Sequence, residues 1–455
     1  MKLKKLNLAN YRGFEQIELE FGDLTVIAGV NGSGKSGILQ AIATLLSKGA
    51  SQISDSNDRA LSFDDDDVRH GSDALSVSCE LVGSIMYFGI QTVRSTLSTK
   101  KLLDITEEIK AVKDQQRNFE AGSRQAKEMA DRLRVLDKML QDPEDHVSFQ
   151  QDRIVRDKEP HFDQPLFVFY KPSRLFGRLT RTRGMVVSER FSNPSKGHVG
   201  ALSGGQISLN DFLLWFELIQ QGKIGDGYIA TNLLDSLNAV LKEILPEVSE
   251  LELVTPNFKK VPFFTLAKAD NRFRVTQLSD GEKIILALAF DLVRRLTLAN
   301  PDLEEPTKEG HAIVLIDEIE LHLHPTWQRR IVRRLRTAFP KCQFIMTTHS
   351  PQILSEVEAQ DVRFLYRDDK TEVVKCYIPD EAFGLDANRM LDEMGTSERN
   401  PKVAKALNIL FTLIDDEKFE EARKELKPLT KLLGELDPEI TRAQALIAFL
   451  EDSEA

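Results

Sequence analysis

The chain has 455 residues, 41% hydrophobic and 29% charged, which is the composition of a globular protein long enough for more than one domain. No apolar run approaches the ~18 residues of a membrane-spanning helix, and the N terminus lacks the apolar core of a signal peptide. The cysteines Cys79, Cys342 and Cys376 lie far apart, which argues against a zinc site and a disulfide framework, so we expect a cytoplasmic protein. The net charge of −11 excludes a uniformly basic surface for nucleic acid.

The N-terminal segment predicts a strand, a glycine-rich loop and a helix. Residues 2–9 alternate apolar and polar side chains, residues 24–28 form a short apolar run, and residues 35–46 have helical spacing. The loop before the helix fits the pattern G-x-x-x-x-G-K-S/T. It consists of Gly29, Val30, Asn31, Gly32, Ser33, Gly34, Lys35 and Ser36.

This loop has the chemistry of a phosphate-binding site. Its glycines let backbone N–H groups turn toward phosphate oxygens, which a side chain would obstruct. Lys35 supplies a cation for the β and γ phosphates, and the Ser36 hydroxyl is suited to ligate Mg²⁺. The sequence therefore predicts a site for ATP and Mg²⁺.

The middle of the chain is less regular. Residues 50–75 are polar, with an acidic run at 64–67, and predict a solvated loop. Residues 102–140 carry two helical repeats broken at 121–123. They predict either a short antiparallel coiled coil or two amphipathic helices lying on the head domain.

The following segment alternates predicted strands and helices. The pattern predicts a buried strand at 165–170, helices at 209–221 and 233–245, and one or two strands within 251–275. A further helix is predicted at 284–296. Ser279, Gly281 and Glu282 stand at its start, where free backbone N–H groups can bind an anion.

Two apolar strands in the C-terminal half end in polar side chains. Residues 313–316 lead directly to Asp317 and Glu318. Asp317 suits Mg²⁺ coordination, and Glu318 suits activation of the attacking water. Residues 344–348 form the second strand, which ends at His349.

Together these motifs resemble the ABC-ATPase heads of the SMC, RecF and OLD proteins. The resemblance implies an α/β fold: a two-lobed P-loop NTPase head, with a short helical-hairpin insertion and a C-terminal helical appendage. It implies that His349 contacts the γ-phosphate. It also implies that Arg12, within the family-like start N-Y-R-G-F at residues 10–14, lies near the nucleotide.

The same resemblance assigns the signature motif. Ser279, Gly281 and Glu282 would cap the γ-phosphate bound to a second subunit. Residues 202–206 (LSGGQ) match the transporter signature letter for letter. In ABC ATPases the signature is followed by one helix and then by the strand that ends in the carboxylates. Only Ser279, however, has this position relative to Asp317.

The predicted organisation has four parts. Residues 1–90 form lobe I, 91–165 the helical insertion, 166–375 lobe II, and 376–455 a helical region for oligomer or partner contacts. The insertion is far too short for an SMC arm. Gln91 and Gln164 are the candidates for the glutamine that couples the two lobes.

A narrower resemblance concerns residues 316–328 (IDEIELHLHPTWQ) and 384–391 (GLDANRML). Both are similar to the PtuA family, the ATPases of Septu anti-phage systems that also occur beside retrons. This resemblance implies head-to-tail homodimers, able to assemble further, with an HNH nuclease partner of the PtuB kind.

Several alternatives stay open at this level. His322 and His324 favour a structural or interface role over metal ligation. The basic segment 171–198 and the arginines of 329–336 suit nucleic-acid phosphates, but the overall acidity of the chain favours a solvated face or an interface for acidic partners. A repair ATPase of the RecF kind that binds DNA directly, or an ATP clamp without turnover, competes with the defence ATPase.

Overall fold

The computed structural model describes residues 1–53, 60–83, 86–95, 110–112, 133, 146–153, 166–172, 197–204, 212, 216–217, 227–254, 263–269, 271–300, 303–368, 371–394 and 400–454. The chain divides into two compact units, Met1–Met390 and Leu391–Ala455. Among the helices in these ranges, none is long and apolar enough to cross a bilayer.

A five-stranded antiparallel sheet contains the N terminus. From edge to edge its strands are β2 (Phe14–Glu20), β1 (Lys2–Tyr11), β4 (Ala74–Val82), β5 (Met86–Ser95) and β6 (His146–Arg153). Helix α1 (Lys35–Ile53) follows the phosphate loop. Its Ile38 and Leu45 share a buried cluster with Leu6 of β1, because β1 turns alternate residues toward that side.

A six-stranded sheet carries the predicted site. From edge to edge its strands are β14 (Val374–Tyr377), β13 (Val362–Arg367), β3 (Leu24–Gly29), β12 (Cys342–Thr348), β11 (Ala312–Ile316) and β7 (Leu166–Tyr170). All neighbouring pairs are parallel except β13 with β14. β3, β12 and β11 are buried throughout, as parallel strands covered on both faces should be. Their carboxyl ends lie side by side at one edge.

A small antiparallel sheet and several helices complete the first unit. The sheet has the order β10 (Asn271–Arg274), β9 (Phe263–Lys268), β8 (Val248–Val254). The helices are α2 (Gly227–Ile244), α3 (Asp280–Ala299), α4 (Pro306–Glu309), α5 (Pro325–Ala338), α6 (Pro351–Leu354) and α7 (Ala387–Glu393), the last running across the division between the units. Phe264 of β9 and Phe290 of α3 pack at 5.8 Å between ring centroids and fix α3 on this sheet.

The second unit is a three-helix assembly. It contains α8 (Pro401–Asp415), α9 (Phe419–Leu433) and α10 (Pro438–Glu454). Leu410, Ala422 and Ile440 belong to its own buried core. The predicted helical tail thus contains three helices, and its role in oligomer or partner contacts stays a prediction.

The structure also departs from the predicted boundaries. The division proposed at residue 90 falls inside β5, and β6 returns the chain to the N-terminal sheet, because the two strands pair along their lengths. The region predicted as one or two strands contains three, because β10 pairs with β9 as a separate antiparallel strand. The proposed helix pair at 102–140 lies outside the described residues, apart from 110–112 and 133.

Candidate nucleotide-binding site

The phosphate loop joins the end of β3 to the start of α1. Gly29 has φ 146° and Gly34 has φ 93°, backbone conformations that favour glycine. A Cβ on Gly29 would lie 2.4 Å from the Leu365 carbonyl oxygen, and one on Gly34 would lie 2.5 Å from the Phe14 ring. The sequence motif is therefore also a packing requirement, since these two positions have no room for a side chain.

Lys35 is held inside the loop. Its Nζ donates to the carbonyl oxygens of Gly29 at 2.8 Å and Val30 at 2.9 Å. Burial lowers the pKa of Lys35 to about 8, and the nearby carboxylates of Glu320, Asp317 and Glu318 oppose that effect. An anionic ligand in the loop would complete the neutralisation of this ammonium group.

The neighbouring strands bring the predicted metal ligands together. Ser36 Oγ donates to Asp317 Oδ1 at 3.0 Å. Thr347 Oγ1, at the end of β12, donates to the same oxygen at 2.5 Å. Asp317 is buried, so these two hydroxyls fix its carboxylate against the loop. Hydroxyl and carboxylate oxygens are the donors that Mg²⁺ prefers, and their pairing beside Lys35 fits ATP–Mg²⁺.

Glu318 is turned by an unusual backbone conformation. Its φ is 47°, in the left-handed region that non-glycine residues seldom adopt. Its N–H donates to Thr347 Oγ1 at 2.8 Å, which stabilises the turn. The turn brings Glu318 as well as Asp317 close enough to act on the Lys35 ammonium group.

Glu320 is a site residue that the sequence reasoning missed. Its Oε1 accepts a hydrogen bond from the backbone N–H of His349, which follows β12. Its Oε2 is buried and has no hydrogen-bond partner among the described residues. The cue was available, because three acids occur within four residues at the end of an apolar strand.

His349 lies beside the same charges. Burial and the nearby Lys35 ammonium lower the pKa of His349 below its ordinary value. The imidazole is therefore neutral at neutral pH. A neutral ring can donate a hydrogen bond to an anion through one nitrogen, which is compatible with the predicted contact to a γ-phosphate.

Arg12 lies beside the start of α1. Its Nε donates to Asp67 Oδ1 at 2.8 Å, and a Cβ on Gly37 would lie 3.6 Å from its Nη1. Asp67 is buried. The prediction of a solvated loop is therefore wrong at this position, since the last acid of the run is buried and pairs with Arg12. The predicted contact of Arg12 with nucleotide stays a prediction.

The start of α3 has the geometry of a capped helix. Ser279 Oγ accepts from the Glu282 N–H at 3.4 Å, while the Glu282 carboxylate accepts from the Ser279 N–H at 2.9 Å. Lys268 Nζ lies 2.6 Å from Glu282. Burial opposes ionisation, but the bonds from Lys268 and Ser279 hold the pKa of Glu282 below its ordinary value. Glu282 thus orders the helix tip, and its predicted contact with nucleotide stays a prediction.

Gly281 ties the helix tip to the loop after β11. A Cβ at this position would lie 2.7 Å from the backbone oxygen of His322. His322 has φ 65°, and His324 caps α5 by accepting from the Thr326 N–H. The described residues include no cluster of metal-ligating side chains. His324 therefore has a structural contact at the start of α5, and an interface role for either histidine stays a prediction.

A buried ionic network anchors α3 to β7. Asp291 accepts from Arg295 Nε and Arg294 Nη2, each at 2.7 Å, and from Tyr170 Oη at 3.1 Å. Burial disfavours the charge, but the guanidinium groups of Arg295 and Arg294 hold the pKa of Asp291 well below its ordinary value. Arg295 also donates to the Gly197 carbonyl at 2.8 Å.

Of the competing LSGGQ segment the structure describes residues 202–204, which lie in a turn. Ser203 Oγ donates to the Gly200 carbonyl at 2.9 Å, within a turn. A Cβ on Gly204 would meet the Lys171 side chain at 2.5 Å. Of the two candidate Q-loop residues, Gln91 lies within β5 and Gln164 lies outside the described residues.

Two family models match the chain. The one described as "AAA ATPase domain" matches residues 1–158. The one described as "AAA domain, putative AbiEii toxin, Type IV TA system" matches residues 129–355. Between them they include the phosphate loop, α3 and the ends of β11 and β12.

Curated relatives match over much of their length. The "Retron Vc95 probable ATPase" of Vibrio cholerae serotype O1 biovar El Tor is 27% identical, over 88% of this chain and 80% of the relative. The "Retron Ec83 probable ATPase" of Escherichia coli is 26% identical, over 93% and 82%. The "Septu protein PtuA" of Bacillus mycoides (strain KBAB4) is 33% identical over a shorter region, 34% of this chain and 22% of PtuA.

Solved SMC heads are more distant. The "SMC head domain from Thermotoga maritima" is 14% identical with a TM-score of 0.42, over 84% of this chain and 100% of that one. The assignment rests instead on the loop, the adjacent carboxylates and the sequence relatives. By these features the chain is a P-loop ATPase head that is similar to the AAA ATPase domain model, to the retron ATPases and to Septu PtuA.

Proposed function

We propose that this chain binds and hydrolyses ATP within a Septu-like anti-phage defence complex of the cytoplasm. Its nucleotide-dependent homodimer would control a partner HNH nuclease of the PtuB kind. The observation that carries the ATPase part is the bond between Ser36 and Asp317, which closes a phosphate loop with a carboxylate. The similarity to retron ATPases and PtuA supports the defence context.

The chemistry assigns a task to each side chain. Residues 29–34 surround the phosphates with backbone N–H groups, and Lys35 leaves its loop carbonyls to neutralise the β and γ phosphates. Ser36 and Asp317 would hold Mg²⁺, which supplies charge neutralisation on the phosphate oxygens. Glu318 orients water and accepts its proton. His349 stabilises the charge that develops on the transferred phosphoryl group.

The second half of the site comes from another copy of the chain in this proposal. Ser279 and Asp280 are exposed at the tip of α3. Within the described residues, Ser279 and Glu282 bond to each other and Glu282 to Lys268, and neither bonds to residues 29–36. A capped and exposed helix start of this kind is available to a γ-phosphate held by the partner subunit. The resulting dimer is head-to-tail and has two composite sites.

Mixing two inactive variants tests the composite site. Lys35→Ala removes the ammonium group of the phosphate loop, and Ser279→Arg blocks the helix tip. Each variant alone should release no phosphate above background. In a mixture, the Ser279→Arg chain contributes an intact loop and the Lys35→Ala chain an intact tip. Random pairing should then restore about a quarter of the wild-type rate, because half of the dimers have one intact composite site.

Two controls make the outcome decisive. A mixture of Lys35→Ala with Glu318→Gln should remain inactive. Both substitutions affect the half of the site that holds the nucleotide, so neither composite site in a mixed dimer has an intact nucleotide-binding half. Glu318→Gln alone, loaded with ATP–Mg²⁺, should accumulate as a dimer in light scattering. An inactive Lys35→Ala and Ser279→Arg mixture, with a monomeric Glu318→Gln protein, would refute the shared site.

The nuclease part of the proposal has its own test. We expect an HNH protein of the PtuB kind to be encoded beside this chain and to co-purify with it. Its DNA cleavage should differ between the ATP-trapped Glu318→Gln complex and the Lys35→Ala complex. Equal cleavage by both complexes would refute nucleotide control and leave the ATPase assignment intact.

A further inference from the structure

Helix α5 presents a face of arginine side chains. Arg329, Arg330, Arg333 and Arg336 are exposed, whereas Ile331, Val332 and Leu335 on the opposite side are buried. At 100° per residue the four exposed arginines fall within about one third of the helix circumference, and they extend for about 10 Å along it. The buried side chains pack the helix against the rest of the unit.

These charges have few counter-charges nearby. In the described part of the chain, no ion pair involves Arg329, Arg330 or Arg333. Arg336 is within electrostatic range of Asp23 and Asp361, which belong to the turn after β2 and to the turn before β13. Asp23 itself pairs with Lys2. The face therefore keeps a net positive charge in a protein whose overall charge is −11.

Arg334 lies at the edge of this face, where the positive charges of the neighbouring arginines affect its pKa. Its Nη1 donates to the Ile244 carbonyl at 2.9 Å, and its guanidinium lies 4.8 Å from the Trp327 ring centroid. Burial lowers the pKa of Arg334, and repulsion from Arg330 and Arg333 lowers it further, against weaker attraction from Glu247 and Glu243. The uncompensated charges thus act on one another.

Other cations lie at the C-terminal end of the helix. Lys308 Nζ, on α4, donates to the Thr337 carbonyl at 2.9 Å, and Lys341 is exposed just beyond α5. The only other exposed side chains on α5 are Pro325, Thr326 and Thr337. The face therefore has no large apolar side chain at its centre.

We propose that the exposed face of α5 binds the sugar–phosphate backbone of a nucleic acid. Arginine guanidinium groups match phosphate oxygens in a planar, two-pronged geometry. A duplex presents about six phosphate charges over the ~10 Å that these arginines span, since it carries one charge per ~1.7 Å of axis.

The composition of the face favours nucleic acid over a protein partner. Protein interfaces have an apolar or aromatic core and few charges at the centre, whereas nucleic-acid interfaces are more polar and strongly positive. Contacts of this kind position a duplex without selecting its sequence. The proposal does not depend on a nuclease partner, and it names a surface separate from the ATP site.

A charge-matched pair of triple variants tests it. Arg329→Gln/Arg330→Gln/Arg333→Gln removes three positive charges from α5. Lys424→Gln/Lys427→Gln/Lys431→Gln removes three from exposed positions on α9 and leaves both proteins with the same net charge. Binding to a fluorescent duplex DNA is measured by anisotropy between ~50 and ~200 mM salt, with full-length protein and no added partner.

The expected result is specific to α5. The α5 variant should bind at least tenfold more weakly at low salt, and the slope of log K against log salt should fall by about 2–3 units. The α9 variant should match the wild type, and both variants should hydrolyse ATP at the wild-type rate without DNA. Equal binding by the two variants, or a wild type that does not bind duplex or single strand, would overturn the proposal. An acidic protein partner would then be the occupant to seek.

Discussion

The hydroxyl of Ser36 lies 3.0 Å from a carboxylate oxygen of Asp317, although 281 positions separate them in the chain. The sheet makes this contact possible, because β3 and β11 both flank β12 and end at the same edge. Thr347 at the end of β12 bonds to the same carboxylate. The hydroxyl of Ser36, in the segment after β3, and that of Thr347, at the end of β12, therefore both hold the Asp317 carboxylate in place.

ATP binding should weaken as the pH rises above 8. The pKa of Lys35 is about 8 in the absence of ligand, so its charged fraction falls from about nine tenths at pH 7 to about one tenth at pH 9. A bound triphosphate stabilises the ammonium form, which makes binding above pH 8 dependent on proton uptake. We expect affinity for a non-hydrolysable ATP analogue to fall about tenfold between pH 7 and pH 9, as measured by calorimetry.

Proton uptake distinguishes this cause from general alkaline damage. Calorimetry at pH 9 in buffers of different ionisation enthalpy should reveal close to one proton bound per nucleotide. Lys35→Arg keeps its charge throughout this range, so any binding it retains should be independent of pH. An unchanged affinity in the wild type would show that Lys35 is fully charged without ligand.

Glu320 should act on turnover more than on ATP affinity. Glu320→Ala removes the acceptor that holds the His349 N–H. The loss of this part-buried hydrogen bond, about 1.4 kcal/mol, corresponds to a tenfold fall in kcat. KM should change much less, because the phosphate loop is intact. Glu320→Gln keeps an acceptor oxygen and should retain most of the rate. If the two variants were equally impaired, the charge of Glu320 would matter more than its hydrogen bond.

Loss of the Asp291 carboxylate should destabilise the first unit. Asp291→Asn leaves Arg294 and Arg295 beside a neutral amide in a buried site, and breaking a buried pair in this way costs about 3–5 kcal/mol. Circular dichroism during urea unfolding should show an earlier transition. Asp280→Asn, at an exposed position, is the matched control and should stay within about 0.5 kcal/mol of the wild type.

A methyl group on Gly34 should abolish nucleotide binding. Gly34→Ala combines an unfavourable φ with a contact of 2.5 Å to Phe14, so the loop must move. Gly71→Ala has a similar φ of 84° and open space around it, and lies outside the site. The control should lose about 1 kcal/mol of stability and bind ATP normally. Normal binding by Gly34→Ala would mean that the loop adapts without cost.

The predictable part of the site consists of residues whose partners follow from strand order. Three apolar runs are each followed by a polar feature: the glycine loop, Asp317 and His349. Such runs predict strands of a parallel sheet, whose carboxyl ends place these three features at the same edge. The three acids within residues 317–320 mark Glu320 as a candidate, but its contact with the His349 backbone could not be predicted, because the sequence does not reveal the left-handed turn at Glu318. The burial of Asp67 could not be predicted either. It belongs to an acidic run that is typical of an exposed loop, but its side chain turns inward and pairs with Arg12.

The pairing of β5 with β6 has a consequence for how this fold can vary. The chain leaves the N-terminal sheet after Ser95 and rejoins it at His146, on the strand adjoining the one it left. The two ends of the connecting sequence are held by this strand pair. Doubling the length of a flexible connection raises the entropic cost of closing it by only about 0.6 kcal/mol. Arms of very different reach can therefore be grafted between the same two strands while the ATP site stays intact.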